Sequence, residues 1–348
     1  LLSRTGDEKH WPFVEDTAVP PEHLPEYVSD LQELFDAHDT FAAYYAHAGP
    51  GVLHIRPLLN LKEASGIETM EAISEAVTDR VIEYGWSVSG EHGDGKARTK
   101  YNRKLYADDL WETFRGLKTA FDPAWLLNPG TVCGDHDPTE DLRFDPDYAF
   151  DAGFEPTLEW DNDNGFQGMV ELCHGCAGCT GHQDTTGGVM CPTYRASEEE
   201  ITSTRGRANA LRQAMSGDLP DDPTDEAFVS EVMDLCIGCK GCRNDCPSGV
   251  DMAKLKAEVG HAYHEREGVS LRDRLFANVE RVLEVGSALA PLSNWAMDLP
   301  GSGWLAERTV GIAADRDLPS FHRRTFRDRV AARDGPLVSE TEADRKAL

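Results

Sequence analysis

The stretch CIGCKGCRNDCP, from Cys236 to Pro247, sets four cysteines at gaps of two, two and three residues and ends in proline. Three cysteines two residues apart form a short loop that can offer three thiolates to three irons of a cubane. The fourth, before a proline that turns the chain away, serves elsewhere. Structural zinc prefers CxxC pairs separated by a longer finger and would leave the third cysteine of each run redundant. The earlier stretch CHGCAGCTGHQDTTGGVMCP repeats the plan with Cys173, Cys176, Cys179 and Cys191, with eleven residues between the last two. In two-cluster ferredoxins the fourth cysteine of each run ligates the other cluster. The expected ligand sets are therefore Cys173, Cys176, Cys179 and Cys246 for one [4Fe-4S] cluster, and Cys236, Cys239, Cys242 and Cys191 for the other. Thiolates then fill the coordination, so His174 and His182 take loop or solvent positions. Arg205 and Arg207, in STRGRAN, either offset cluster charge or form salt bridges to Glu198, Glu199 and Glu200. Two clusters side by side make a one-electron relay, and a relay requires a donor.

Eight of the nine cysteines fall in these two runs. A secreted disulfide framework would scatter them through a small chain, so a reducing cytoplasm is expected. Cys133 stands apart and reads as a half-buried thiol. The 348 residues, 40% hydrophobic, suffice for two or three domains with buried cores. With 62 acidic against 34 basic residues the formal charge is −28, which repels nucleic acid. Acidity spread along the chain suits a halophilic protein kept soluble in concentrated salt, with an ordinary acidic cytosolic protein as the alternative. The chain opens on Leu1 with no signal-peptide pattern behind it, and a piece of a longer protein is expected. No apolar run approaches the ~18 residues of a membrane span. Peripheral contact with the inner face of a membrane stays open.

From Pro21 to about Gly130 helical and strand patterns alternate. EYVSDLQELFDAH reads as a helix, FAAYYAHAG and VLHIRPL as strands about a Gly-Pro-Gly turn, and IETMEAISEAVTDRVIEYG as a long amphipathic helix. WSVSGEHG is expected to be a strand entering a glycine loop with no helix evident behind it, and DDLWETFRGLKTAF a closing helix. This predicts an α+β domain over 1–132, an antiparallel sheet with helices. An acidic, aspartate- and proline-rich linker follows over 133–165. An all-α ferredoxin-like domain holding both clusters is expected over 166–265, then a helical extension and polar tail over 266–348.

HAGPGVLHIRP sets His47 and His54 on either side of a tight turn, where the imidazoles can converge. Two histidines beside a hairpin are more often plain polar side chains. SGEHGDG strengthens the functional reading, because it adds Glu91 and His92 in the same domain. Two histidines and a carboxylate are a known ligand set for a catalytic divalent metal with open positions. Arg56, two residues beyond His54 on the same strand face, is either a clamp for a substrate carboxylate or a surface ion pair.

HAGPGVLHIRPLLNL, VSGEHGDGKARTKYNRKLY and FDPAWLLNPG resemble the C-terminal half of FAD-linked D-2-hydroxyacid dehydrogenases of the vanillyl-alcohol-oxidase type. CHGCAGC, MCPTY, STRGRA and CIGCKGCRNDCP resemble the iron–sulfur part of fused members, and together the resemblance spans roughly residues 20 to 260. The resemblance implies that His47, His54 and Glu91 hold a divalent metal, zinc or manganese, near the flavin. It implies that His92 acts as base and that Asn128 approaches the flavin. The implied reaction oxidises a D-2-hydroxy acid of the lactate, glycolate or 2-hydroxyglutarate class. Hydride goes to FAD, and single electrons pass through the clusters to a quinone, a cytochrome or another iron–sulfur or flavoprotein. The turn departs from the family's usual GDGNLH by reading Gly49, Pro50, Gly51, Val52, Leu53, His54, so the aspartate and asparagine are absent. The family's N-terminal FAD-binding domain is also absent from these residues and would come from a further domain or subunit. The alternative is a non-catalytic iron–sulfur subunit that docks a separate flavoprotein.

Overall fold

The computed structural model describes residues 4–182, 188–220 and 222–333. The chain forms two compact units, Leu1–Tyr263 and His264–Leu348. The first therefore takes in the sheet, the acidic stretch over 133–165 and both cysteine runs.

Four antiparallel strands build the sheet: β1 (Lys9–His10), β2 (Thr17–Ala18), β3 (Ala42–His47) and β4 (Val52–Leu59), with β4 the partner of the other three. Alternation along β4 sends Leu53 and Ile55 to one face and His54 and Arg56 to the other. The first pair packs against two helices, α1 (Leu24–Ala37) and α2 (Ala64–Glu83). Tyr27, Leu31 and Phe35 on α1, and Ile73, Val77 and Val81 on α2, recur every four residues and make one buried stripe per helix. Register across the hairpin pairs Tyr45 with His54 and His47 with Val52. Directly opposed residues share a face, so Tyr45, His47, His54 and Arg56 all project from the side away from the helices.

The hairpin turn fits because Gly51 has no side chain. Its φ is +77°, and a Cβ there would lie 1.9 Å from the carbonyl oxygen of Val19, whose amide donates to Gly51 O at 3.0 Å.

Two expectations are corrected. WSVSGEHG is not a strand, because the amides a ladder would use go to one residue. Gly90 N donates to the backbone oxygen of Asp16, and Glu91 N and His92 N donate to its carboxylate. A helix does follow GEHGDG at once: α3 (Gly95–Phe121) starts at its last glycine and breaks at Ala107, where φ is +59°.

The acidic stretch over 133–165 carries no regular element before the short helix Gly165–Val170. It is nevertheless anchored: Phe144 is buried against Leu59, Leu61 and Met70. Lys62, just past β4, donates at 2.7 Å to both Asp7 and the buried Glu171, and sits over the rings of Phe144 and Tyr148.

The cysteine-bearing part is helical. Helices Thr204–Ser216 and Met252–Glu267 and the turns between them bury Leu211, Met215, Met233, Leu255 and Val259 around the cysteines. Buried Glu258 accepts hydrogen bonds from Leu158 N at 3.0 Å, from Trp160 Nε1 at 3.1 Å and from Thr157 N, tying the acidic stretch to the last of these helices.

The second unit consists of short helices, among them Val279–Ala288 and Ser302–Val310. Trp295, Trp304 and Leu292 are exposed on it. Among the described residues no helix is long and apolar enough to cross a membrane.

Replacing Gly51 by alanine should place a methyl group against Val19 O in a left-handed backbone. A loss of about 2 kcal/mol in urea unfolding of the first unit is expected, with an unchanged denaturant slope.

Candidate functional site

Asp16 organises the polar face of the sheet. It is fully buried, and besides the amides of Glu91 (3.0 Å) and His92 (2.8 Å) it accepts from Ser89 Oγ at 2.9 Å. Burial opposes its ionisation, but these three donors outweigh burial and hold its carboxyl below the ordinary value. Glu91 and His92 are thereby aimed at the hairpin.

Glu91 is the hub. Its Oε1 lies 3.3 Å from His47 Nε2, 3.1 Å from His54 Nε2 and 3.4 Å from His92 Nε2. The His54 and His92 rings stack at 5.0 Å, and Tyr45 stacks on the other flank of His54 at 5.5 Å. His54 is buried, whereas His47, Glu91 and His92 are open to solvent on one side. Metal–nitrogen and metal–oxygen bonds of about 2.1 Å in a tetrahedron require donors about 3.4 Å apart. The spacings around Glu91 Oε1 are of that size, and imidazole with carboxylate is a fitting donor set for a divalent ion. Asp16, His54, Glu91 and His92 bring one ligand atom each within 4.8 Å of the others. The Asp16 oxygens already accept three hydrogen bonds, which makes that residue the organiser of the group.

Glu15, unnoticed in the sequence, joins His92 to Arg56. Its Oε1 lies 3.2 Å from His92 Nδ1, and its Oε2 pairs with Arg56 Nη2 at 2.5 Å. His92 therefore has Nδ1 toward Glu15 and Nε2 toward Glu91. Arg56 is held by one edge of its guanidinium, and its other N–H groups are not committed to Glu15. Glu15 and Asp16 were missed because FVEDTAVP precedes the first periodic element. The available signal was an adjacent acidic pair inside an apolar stretch.

Asn128 lies on the loop after α3, exposed and with φ +45°. Asp122 shapes this loop by accepting from Leu126 N (3.1 Å), Leu127 N (2.9 Å) and Lys118 Nζ (2.6 Å). Phe121, Leu126 and Leu127 are left strongly exposed around it, at 84%, 76% and 68%.

The eight clustered cysteines line two small cavities, each of about 20 Å³. Cys173, Cys176, Cys179 and Cys246 share one, and Cys191, Cys236, Cys239 and Cys242 share the other, with Thr204 in the wall of both. Four sulfurs around one small, partly open space suit a compact cluster. Burial pushes the thiols of Cys173, Cys179 and Cys242 up. Backbone amides work the other way: Arg205 N donates to Cys179 Sγ at 3.4 Å, and the amides of Met252 and Ala253 face Cys242. Burial thus favours the neutral form of these three thiols, an effect that a cation beside them would oppose. Gly206 permits this packing, since a Cβ there would lie 2.0 Å from Glu200 O. His174 meets Ser248 Oγ at 2.5 Å beside the first cavity, and His182 is in the loop after Cys179. Cys133 is buried away from both cavities.

Comparison with known proteins agrees with this division. Residues 1–132 match the family of FAD linked oxidases, C-terminal domain, and residues 169–250 match the 4Fe-4S dicluster domain. A D-2-hydroxyglutarate dehydrogenase of Haemophilus influenzae is 29% identical over 92% of this chain and 33% of its own length. The Escherichia coli D-2-hydroxyglutarate dehydrogenase is likewise 29% identical, over 92% of this chain and 34% of its own. Glycolate oxidase subunit GlcD of Bacillus subtilis is 28% identical over 38% of this chain and 28% of its own length. The chain spans about a third of the length of the D-2-hydroxyglutarate dehydrogenases it matches.

Asp16→Asn should remove an acceptor from the Glu91–His92 turn and cost about 1–3 kcal/mol at neutral pH. Because the folded carboxyl titrates below its ordinary value of 3.8, its contribution is complete above that pH. It is lost as pH falls through the lower folded value. Acid unfolding should therefore separate wild type from variant at pH 6 and bring them together in strong acid.

Proposed function

We propose that residues 1–132, a FAD-linked oxidase C-terminal domain, and residues 169–250, a 4Fe-4S dicluster domain, are the substrate-side and electron-relay parts of a D-2-hydroxyacid dehydrogenase. The observation that carries the reading is the convergence of His47, His54 and His92 on Glu91, in the same compact unit as two four-cysteine cavities. An iron–sulfur subunit that merely docked a flavoprotein would have no use for it. The substrate is of the lactate, glycolate or 2-hydroxyglutarate class. The relatives' names favour 2-hydroxyglutarate.

His47, His54 and Glu91 would hold a divalent cation, zinc or manganese, which would supply Lewis-acid polarisation of the substrate hydroxyl. His92 takes the hydroxyl proton at Nε2, with Nδ1 backed by Glu15, which fixes the ring and balances the charge it acquires. Arg56, oriented by Glu15, turns its remaining N–H groups to the substrate carboxylate. FAD supplies two-electron acceptance and one-electron release when bound. It is held by a flavin-binding domain or subunit that covers the apolar edge of Phe121, Leu126 and Leu127 beside Asn128. Cys173, Cys176, Cys179 and Cys246 hold one [4Fe-4S] cluster, and Cys191, Cys236, Cys239 and Cys242 the other. When bound, these clusters would supply one-electron transfer toward a quinone, a cytochrome or another redox protein. The acidic surface suits a cytoplasm rich in salt.

Anaerobically prepared chain should contain about eight irons and eight acid-labile sulfides, unchanged in Cys133→Ser. Stoichiometric zinc without broad visible absorbance would refute the relay. With the flavin-binding part present, His47→Ala or Glu91→Gln should release a divalent ion and lower kcat at least a hundredfold while cluster absorbance persists. His92→Ala should keep the ion and slow flavin reduction. Full turnover in His47→Ala would return that residue to an ordinary polar role.

A further inference from the structure

Arg205 and Arg207 are neighbours in STRGRAN, yet the structure gives them opposite surroundings. Arg205 spends its charge on the surface, where its Nε and Nη2 meet the two carboxylate oxygens of Glu200, each at 2.7 Å. Arg207 is 1% exposed and lines the cavity of Cys191, Cys236, Cys239 and Cys242. Its Nε donates to Val232 O at 2.8 Å, its Nη1 to Thr202 O and its Nη2 to Thr193 Oγ1 at 3.5 Å. Every one of these acceptors is neutral. Among the described residues no carboxylate pairs with Arg207. Its Nη1 lies 3.8 Å from Cys191 Sγ.

A guanidinium taken out of water and given only neutral acceptors is costly unless a negative charge lies close by. The group here that can supply one is Cys191 as a thiolate, together with whatever that cavity holds. Among the described residues lining the other cavity, no arginine is both buried and without a carboxylate partner. Arg205, in its wall, is neutralised by Glu200, and Arg143, which faces Cys173, is only half-buried, donates to Asn209 Oδ1 at 3.3 Å and is not part of that wall.

We propose that Arg207 is a built-in counter-cation for the centre held by Cys191, Cys236, Cys239 and Cys242, and that it makes the two centres unequal. A four-thiolate cubane carries net negative charge and gains one more on accepting an electron, so a fixed buried cation favours the reduced form. The electron therefore rests on this centre in preference to that of Cys173, Cys176, Cys179 and Cys246. One electron enters and the net charge becomes more negative by one; no bond or proton moves. Arg207 acts on the potential through Cys191 and is a positioning and tuning residue rather than a catalytic one. The inference rests on the iron–sulfur reading of the two cavities.

The test uses the full chain assembled anaerobically with iron and sulfide, with midpoints read by EPR-monitored redox titration. Arg207→Met should lower the midpoint of one centre by about 59 mV, a tenfold change in its one-electron equilibrium, and leave the other in place. Arg205→Met should move neither by that amount. A fully loaded Arg207→Met protein with both midpoints unchanged, or with both lowered equally, overturns the proposal. Should Arg207→Met fail to assemble, Arg207→Lys decides, because it keeps the charge while giving up the fork of hydrogen bonds. Loading with wild-type midpoints supports the counter-cation, and failure to load assigns Arg207 a purely hydrogen-bonding part and overturns it. Wild-type chain that takes up no iron or acid-labile sulfide would instead refute the cluster reading itself.

Discussion

Neither cysteine run can complete a cavity alone. Cys246 belongs to the second run and lines the cavity of the first, while Cys191 closes the first run and lines the cavity of the second. This exchange forces two loops separated by the helix Thr204–Ser216 to meet on both sides of Thr204. Helix placement follows from it: Gly206 lets that helix come up against Glu200, and the helix Met252–Glu267 begins with the amides that face Cys242. The apolar core of this part, from Phe166 to Val259, is packed around the sulfurs rather than beside them.

In the sheet the corresponding element is one carboxylate. Asp16 takes up amides that would otherwise continue a strand, turning WSVSGEHG into a bend that lays Glu91 and His92 over the hairpin. A buried acid with three donors is a rigid hinge pin. Glu15 then uses its two oxygens on two different partners, His92 and Arg56, so consecutive acidic residues do separate work.

Much of this was legible in sequence because it obeys periodicity. The four-residue recurrence on α1 and α2, the alternation along β4 and the spacing of the two cysteine runs each name an element or a cavity wall without reference to the rest of the chain. What was illegible depends on contacts distant in sequence. Ser87 to His92 has the composition of a strand, but Asp16, more than seventy residues earlier, diverts its amides. Arg205 and Arg207 look alike in STRGRAN, and only the packing of Val232, Thr202 and Thr193 around one of them reveals which is sealed from water. Helix α3 was read as starting late because its first three turns hold few apolar residues and expose many charges.

Lys62 reaches from the end of β4 to Glu171, two residues before Cys173, and is clasped between Phe144 and Tyr148 on the way. This strut couples the strand that carries His54 mechanically to the loop that carries the first cysteine cavity. A buried ion pair braced by aromatic rings resists movement of one against the other, so Lys62, which touches neither site, helps to fix the distance between them.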